Sequence, residues 1–227
     1  MIPVITLDGP SGSGKGTIAA RLASQYGYHL LDSGALYRLL GLYAGSRGWL
    51  DQPCESQLAE AARQLDIQFR TDDQQQLHIW LEGQEVTDDI RTEQVGAWAS
   101  MVAAFPAVRD SLMAWQRDCA QSPGLVADGR DMGTVVFPDA PVKIYLTASA
   151  EARAMRRFLQ LKGMGIDVNL DDILADLQAR DHRDMSRAVA PLRPAEDALL
   201  IDSSTMDIAT VLDTIRQYIV QKLPALA

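Results

Sequence analysis

The sequence predicts an α/β fold, with a central five-stranded parallel sheet flanked by helices. Three observations carry that reading. Short, almost wholly apolar runs recur along the chain, as strands covered on both faces require. Segments of helical apolar spacing alternate with them. A glycine-rich loop stands where the first strand would pass into the first helix.

The first strand is Val4–Leu7, a β-branched apolar run that stops at Asp8-Gly9. A helix is predicted to start at Lys15 with Ile18, Leu22 and Ala23 on its buried face, and to end near Tyr26-Gly27, where glycine suits a left-handed cap. Tyr28–Leu31 is the second strand and stops at Asp32-Ser33-Gly34; Ala35–Ala44 follows with Leu36, Leu39, Leu40 and Tyr43 at helical spacing.

The middle breaks the alternation. Leu58–Leu65 has helical character, but Ile67–Phe69, Leu77–Leu81 and Glu85-Val86 are short strand-like runs, joined by the polar stretch Thr71–Gln76 and the turn Glu82-Gly83-Gln84. This is a β-containing insertion. Helices are predicted over Glu93–Ala103 and Ala107–Cys119, separated by Pro106. Alternation then resumes with strands Leu125–Ala127, Val142–Leu146 and Leu199–Ile201 and helices Ala150–Leu161, Leu170–Arg187 and Ile208–Leu223. Lys162-Gly163-Met164-Gly165 has the glycines of a hinge. The expected organisation is one domain over 1–227: a core of 1–50 plus 90–227, an insertion over about 51–89 and a short lid over about 158–170.

Composition bounds the function. With 227 residues, 47% apolar and 22% charged, the chain can bury one full core. A net charge of -9 disfavours a general nucleic-acid binder, which carries a basic surface. No apolar run is long enough for a transmembrane helix, and Met1–Leu7 lacks the charged start of a signal peptide. Cys54 and Cys119 are in no paired motif, and His29, His78 and His182 are scattered, so neither a disulfide framework nor a zinc site is expected. A cytoplasmic monomer without nucleic-acid or membrane partners is the expectation.

The loop Gly9-Pro10-Ser11-Gly12-Ser13-Gly14-Lys15-Gly16-Thr17 satisfies G-x-x-x-x-G-K between a strand and a helix. Glycines let the backbone wrap phosphate oxygens, N–H groups point inward, the helix N-terminus adds partial positive charge, and Lys15 reaches the β- and γ-phosphates of ATP. A tight turn that binds nothing needs no lysine in that register. The residue after Lys15 is Gly16 and the hydroxyl arrives at Thr17, an ending similar to nucleoside-monophosphate kinases.

Open α/β sheets bind ligands beyond the carboxyl ends of their strands. Asp8, Asp32–Arg38 and Asp128-Gly129-Arg130-Asp131 all fall there. Asp32 or Ser33 could simply cap the following helix, but Arg38 and Arg130 among them point to a second anionic ligand. The helix Leu170–Arg187 argues the same. Its stripe Leu170, Ile173, Leu174 and Leu177 continues along one face to Arg180, Asp181, Asp184 and Arg187, turning from apolar to charged. Arg153, Arg156 and Arg157 share a face of the preceding helix. Inward arginines need anions; the alternative is solvated faces held by ion pairs such as Asp184 with Arg187.

Four segments, the loop Gly9–Thr17, Leu30–Arg38 (LLDSGALYR), Ala127–Leu146 (ADGRDMGTVVFPDAPVKIYL) and Arg180–Leu192 (RDHRDMSRAVAPL), together closely resemble the bacterial cytidylate kinase family, and the resemblance runs nearly end to end. It implies a P-loop nucleoside-monophosphate kinase-like fold and transfer of the ATP γ-phosphate to CMP or dCMP, with Mg²⁺. It further implies that Lys15 contacts the moving phosphate, that Ser33, Arg38, Arg130 and Arg187 hold the acceptor phosphate, and that Tyr37 packs on the acceptor nucleotide. Ser100, Arg109 and Asp131 would read the cytosine, and Arg180 and Asp184 the sugar hydroxyls. Arg153, Arg156, Arg157 and Arg183 would face the triphosphate. No side chain is expected to ligate the metal directly; Asp128, at a strand end, is the candidate for contact with its hydration shell. From the residues alone, a kinase for shikimate or another nucleotide stays open. So does an ATP-binding switch, although it leaves the inward arginines without a role.

Overall fold

In chain order the elements are β1 (Val4–Asp8), α1 (Lys15–Tyr26), β2 (His29–Asp32), α2 (Ser33–Gly45), α3 (Glu55–Gln64), β3 (Ile67–Thr71), β4 (Leu77–Leu81) and β5 (Gln84–Glu85). Then come α4 (Glu93–Val102), α5 (Pro106–Asp118), β6 (Leu125–Gly129), β7 (Val142–Thr147), α6 (Ala150–Gly163), α7 (Leu170–Met185), β8 (Leu199–Asp202) and α8 (Ile208–Lys222). The computed structural model describes residues 2–71 and 77–226; residues 72–76, in the polar stretch expected to join two strands, lie outside the described residues. The chain forms two compact units, one comprising residues up to Asp32 and from Arg117 onward, the other Ser33–Gln116.

The first unit is built on a five-stranded sheet of order β2-β6-β1-β7-β8, with every neighbouring pair parallel. β1 and β6 are buried along their whole length, which is why they read as mostly apolar runs, with only Thr6 of β1 polar before their last residues. Ile5, Leu7, Val126, Ile144 and Leu146 of the sheet pack with Ile18 and Leu22 of α1 and with Leu212, Ile215 and Ile219 of α8. Each such side chain contributes about 1.5–3 kcal/mol on burial. The register sets Asp32 beside Asp128, and Asp8 beside Gly129, so the carboxyl ends of β2, β6 and β1 gather polar groups at one edge. A second cluster joins α6 to α7 through Ala154, Leu161, Ile173 and Leu177, with Phe158 and Val168 packed against it.

The second unit pairs α2 with α4 beside the antiparallel sheet β3-β4-β5. Ala35 and Leu39 of α2 and Val95 of α4 pack with Ile79, Leu81, Val86 and Ile90. Trp98 lies against Gly45, where a Cβ would stand 2.5 Å from its ring.

Most element boundaries differ from the sequence reading by one to three residues, and Pro106, expected to separate two helices, is the first residue of α5; three of the differences have a visible physical cause. Glu82 and Gly83 both adopt positive φ, 51° and 76°, a two-residue hairpin turn that starts β5 at Gln84 opposite Leu81. α2 starts at Ser33 instead of Ala35, so Ser33 is a first-turn residue with its side chain facing inward. α7 stops at Met185, where the Ser186 N–H closes onto the His182 carbonyl, and Arg187 therefore lies beyond the helix. Among the described residues no helix is long and apolar enough to cross a membrane.

Candidate active site

The phosphate loop leaves β1 at Gly9, whose φ is 149°. A Cβ there would fall 2.0 Å from the Leu146 carbonyl oxygen on β7, so only glycine can start the loop. The loop ends at Gly14, which precedes α1 with φ 94°, and no side chain caps the helix. The first N–H groups of α1 thus keep their affinity for an anion. The buried Ser13 hydroxyl has no hydrogen-bond partner among the described residues.

Lys15 is 5% exposed and donates to the Pro10 carbonyl at 2.8 Å, with Asp128 Oδ1 at 4.0 Å. Burial, followed by the nearby Arg130 charge, pushes its pKa down to about 8 against the pull of Asp128, Asp8 and Asp32. Burial likewise raises Asp128 to about 6, with Lys15 opposing and Asp32 assisting. Asp8 rises to about 7, mainly by burial, although the N–H groups of Gly133 and Met132 favour its charged form.

A loop that turns its N–H groups inward leaves carbonyls outward, and these need donors. Arg153 and Arg156 supply them. Arg153, buried on α6, donates to the carbonyls of Ala148 at 2.9 Å and Ser11 at 3.0 Å. Its two terminal nitrogens also grip Asp181 at 3.2 and 2.5 Å. Arg156 reaches the Ser13 carbonyl at 3.5 Å and the Ser203 hydroxyl at 3.2 Å, and also bonds the Ser203 carbonyl. Arg180 donates to the Ser11 hydroxyl at 3.2 Å. Arg157 bonds Gln160 of its own helix at 3.0 Å, and Arg183 is exposed.

Asp184 is the hub of a second cluster. It accepts from Arg130 Nε at 3.1 Å and from Arg187. Burial would raise its pKa, but Arg130, Arg187 and Arg180 outweigh burial and hold it below the usual carboxylate value. The Asp184–Arg187 side chains are 3% and 7% exposed, so this ion pair is no solvated face. The buried stripe of α7, Ile173, Leu177, Arg180 and Asp184, turns from apolar to charged as its sequence periodicity requires. Asp131 is buried immediately after Arg130.

The second unit holds Ser33, Tyr37, Arg38, Ser100 and Arg109. Ser33 Oγ donates to Gln116 Oε1 at 2.6 Å, and Gln116 Nε2 donates to the Leu112 carbonyl at 3.2 Å. The buried Arg109 donates to the Ala103 carbonyl at 3.2 Å, and its guanidinium carbon stands 5.5 Å from the centre of the Tyr37 ring. Arg38 donates to the carbonyls of Ile90 at 2.7 Å and Thr92 at 3.2 Å. Ser100 is buried on α4. The sequence reading did not single out Gln116, Asp181 paired with Arg153, or Ser203. Each is a common polar residue whose partner is far away in the chain, and no local pattern marks it.

The family model for cytidylate kinase matches residues 5–221. A cytidylate kinase of Pseudomonas putida is 57% identical over 223 residues, 98% of this chain and 97% of that protein. A cytidylate kinase of Acinetobacter baylyi is 57% identical over 226 residues, 99% of each chain. Among solved structures, an uncharacterized protein from Eubacterium ventriosum matches over 97% of this chain and 99% of its own, with TM-score 0.51 at 16% identity, a likeness of fold alone.

Proposed function

The chain belongs to the cytidylate kinase family, an ATP-dependent phosphotransferase family, and we propose how its residues divide the work of moving the γ-phosphate of ATP onto CMP or dCMP. The observation that carries the reading is the phosphate loop: an uncapped helix N-terminus with Lys15 buried at its base. Among the described residues an added Cβ at Gly14 would meet nothing within 4 Å and the Ser13 hydroxyl has no partner, an opening that suits a triphosphate.

Phosphoryl transfer asks for alignment of donor and acceptor and for neutralisation of the negative charge on the moving group. Loop N–H groups and Lys15 hold the triphosphate. Arg153 and Arg156 act behind them, bonding the loop's carbonyls so that its N–H groups stay convergent. Arg157 and Arg183 are left to approach the triphosphate from solvent. Arg130 and Arg187, held by Asp184, face the acceptor phosphate, where bidentate guanidinium forks bind well. Arg180 and Asp184 meet the sugar hydroxyls. Tyr37 packs on the acceptor nucleotide, and Arg38, which also braces the turn at Ile90–Thr92, would meet the acceptor phosphate.

Hydrogen-bond logic refines one role. Ser33 gives its only hydroxyl hydrogen to Gln116, whose amide is oriented by the Leu112 carbonyl. Ser33 therefore presents lone pairs, which suit an N–H donor such as the exocyclic amine of cytosine better than a phosphate. With Ser100, Arg109 and Asp131 it would distinguish cytosine from uracil, which carries an acceptor in that place.

Mg²⁺, when bound with the nucleotide, would supply charge neutralisation on the triphosphate. No group of three His, Cys, Asp or Glu among the described residues is disposed to hold a metal ion. Thr17 and Asp128 are the residues that would meet its hydration shell. The test is ADP release with MgATP and each of CMP, dCMP, UMP and AMP. The cytosine nucleotides should lead by orders of magnitude in kcat/KM; equal rates would remove the assigned base contacts.

A further inference from the structure

Asp8 is the last residue of β1 and the last before the phosphate loop, and its side chain bonds the turn after β6. Oδ1 accepts the Met132 N–H and Oδ2 the Gly133 N–H, each at 2.8 Å. Both oxygens are thus engaged by successive backbone donors at the start of the π-helical turn Met132–Val136. Immediately before those donors stand Arg130 and Asp131. In the sheet Asp8 lies beside Gly129 on one flank and Tyr145 on the other, so one carboxylate spans from the root of the phosphate loop to the loop that carries two acceptor residues.

A carboxylate is an expensive way to fasten a turn. Asp8 is 4% exposed, and burial keeps its ionised form unfavourable even with two N–H bonds. A carboxylate is the side chain that sets two equivalent acceptors against adjacent N–H groups at fixed spacing. An Asn in its place keeps one acceptor and turns an NH₂ toward the other donor. The charged groups that face Asp8 are Asp131, which opposes its ionisation, and Lys15, which favours it.

We infer that Asp8 is a positioning residue for the acceptor half of the reaction: by fixing the N–H groups of Met132 and Gly133 it sets where Arg130 and Asp131 stand relative to the phosphate loop. The inference rests on the assignment of Arg130 and Asp131 to the acceptor nucleotide.

The experiment compares Asp8→Asn and Arg130→Lys, with steady-state kinetics in CMP and in ATP and amide hydrogen exchange at Met132 and Gly133. Asp8→Asn should raise the KM for CMP about ten-fold or more, leave that for ATP within about two-fold, and speed exchange at both amides. A merely structural role would speed exchange without the split between the two KM values, and that result overturns the proposal. So does an ATP KM that rises as far as that for CMP. If Arg130→Lys leaves the CMP KM unchanged, the assignment of Arg130 to the acceptor has failed and the proposal falls with it. If Arg130→Lys raises it and Asp8→Asn does not, only the role of Asp8 has failed. Should Asp8→Asn not fold, the wild-type protein still decides. Saturating CMP should slow exchange at Met132 and Gly133 more than ATP does, and equal or absent slowing overturns the coupling.

Discussion

Ser33 Oγ and Gln116 Oε1, 83 positions apart in the chain, are joined by a 2.6 Å hydrogen bond whose direction is set by the Gln116 amide donating to Leu112. Gln116→Leu frees the Ser33 hydrogen to serve a uracil acceptor. The ratio of kcat/KM for CMP over UMP should fall about ten-fold, or about 1.4 kcal/mol, with the KM for ATP unmoved. An unchanged ratio would separate Gln116 from base selection.

Asp181 acts on the opposite substrate. It holds both terminal nitrogens of Arg153, and Arg153 holds the Ser11 carbonyl. Asp181→Asn keeps the shape and removes the charge. The KM for ATP should rise several-fold, about 1–2 kcal/mol of binding, while the KM for CMP stays near its wild-type value. Isothermal titration with ATP alone checks the same point.

Lys15 makes ATP binding sensitive to mild alkali. Its folded pKa is lowered from 10.5 to about 8, so the free protein loses this charge as pH rises through about 8. The kcat/KM for ATP should fall about ten-fold per pH unit beyond that point. Because the triphosphate favours charged lysine, binding near this pH takes up protons, which calorimetry in two buffers of different ionisation enthalpy measures. The stability effect has the opposite sign. An unfolded lysine holds its proton up to 10.5, so the unfavourable contribution of Lys15 is full below about 8 and is relieved as pH rises toward 10.5.

Gly9→Ala should fail by sterics. Its Cβ would stand 2.0 Å from the Leu146 carbonyl oxygen, and β7 cannot retreat without breaking its pairing with β1. A loss of about 3 kcal/mol or more is expected, read as a lowered midpoint in urea together with lost ATP affinity. A variant of wild-type stability would mean that the strand ends are looser than this contact requires.

Asp184→Asn should also destabilise, because Arg130 and Arg187 lose the charge that both hold in a nearly buried setting. Breaking such a pair costs about 3–5 kcal/mol. Chemical denaturation of the variant, with and without CMP, should show the loss partly recovered when the acceptor phosphate is present.

Much of the site was legible because its chemistry is local. A phosphate loop needs consecutive N–H groups between one strand and one helix, so Gly9–Thr17 is visible as a string of residues. The stripe of α7 is visible because a helix repeats its faces, and its passage from Ile173 and Leu177 to Arg180 and Asp184 announces a buried charged end. The same periodicity could not say which guanidinium meets which carboxylate. Arg153 goes to Asp181 and Arg130 to Asp184, pairings between elements that no spacing relates. It also carried α7 on to Arg187, two residues past the end the backbone adopts.

The sequence by itself determined the parallel sheet, the phosphate loop and the family, since these rest on apolar periodicity and on contiguous motifs. Only the tertiary structure decided that Arg153 and Arg156 bond the loop's carbonyls, that Ser33 has already given away its hydrogen, and that Asp8 fastens the turn after Arg130. A hydrogen bond is set by the direction of a donor and the distance to its acceptor. Both are properties of folded neighbours, and residues 83 or 124 positions apart acquire them only when the chain has closed.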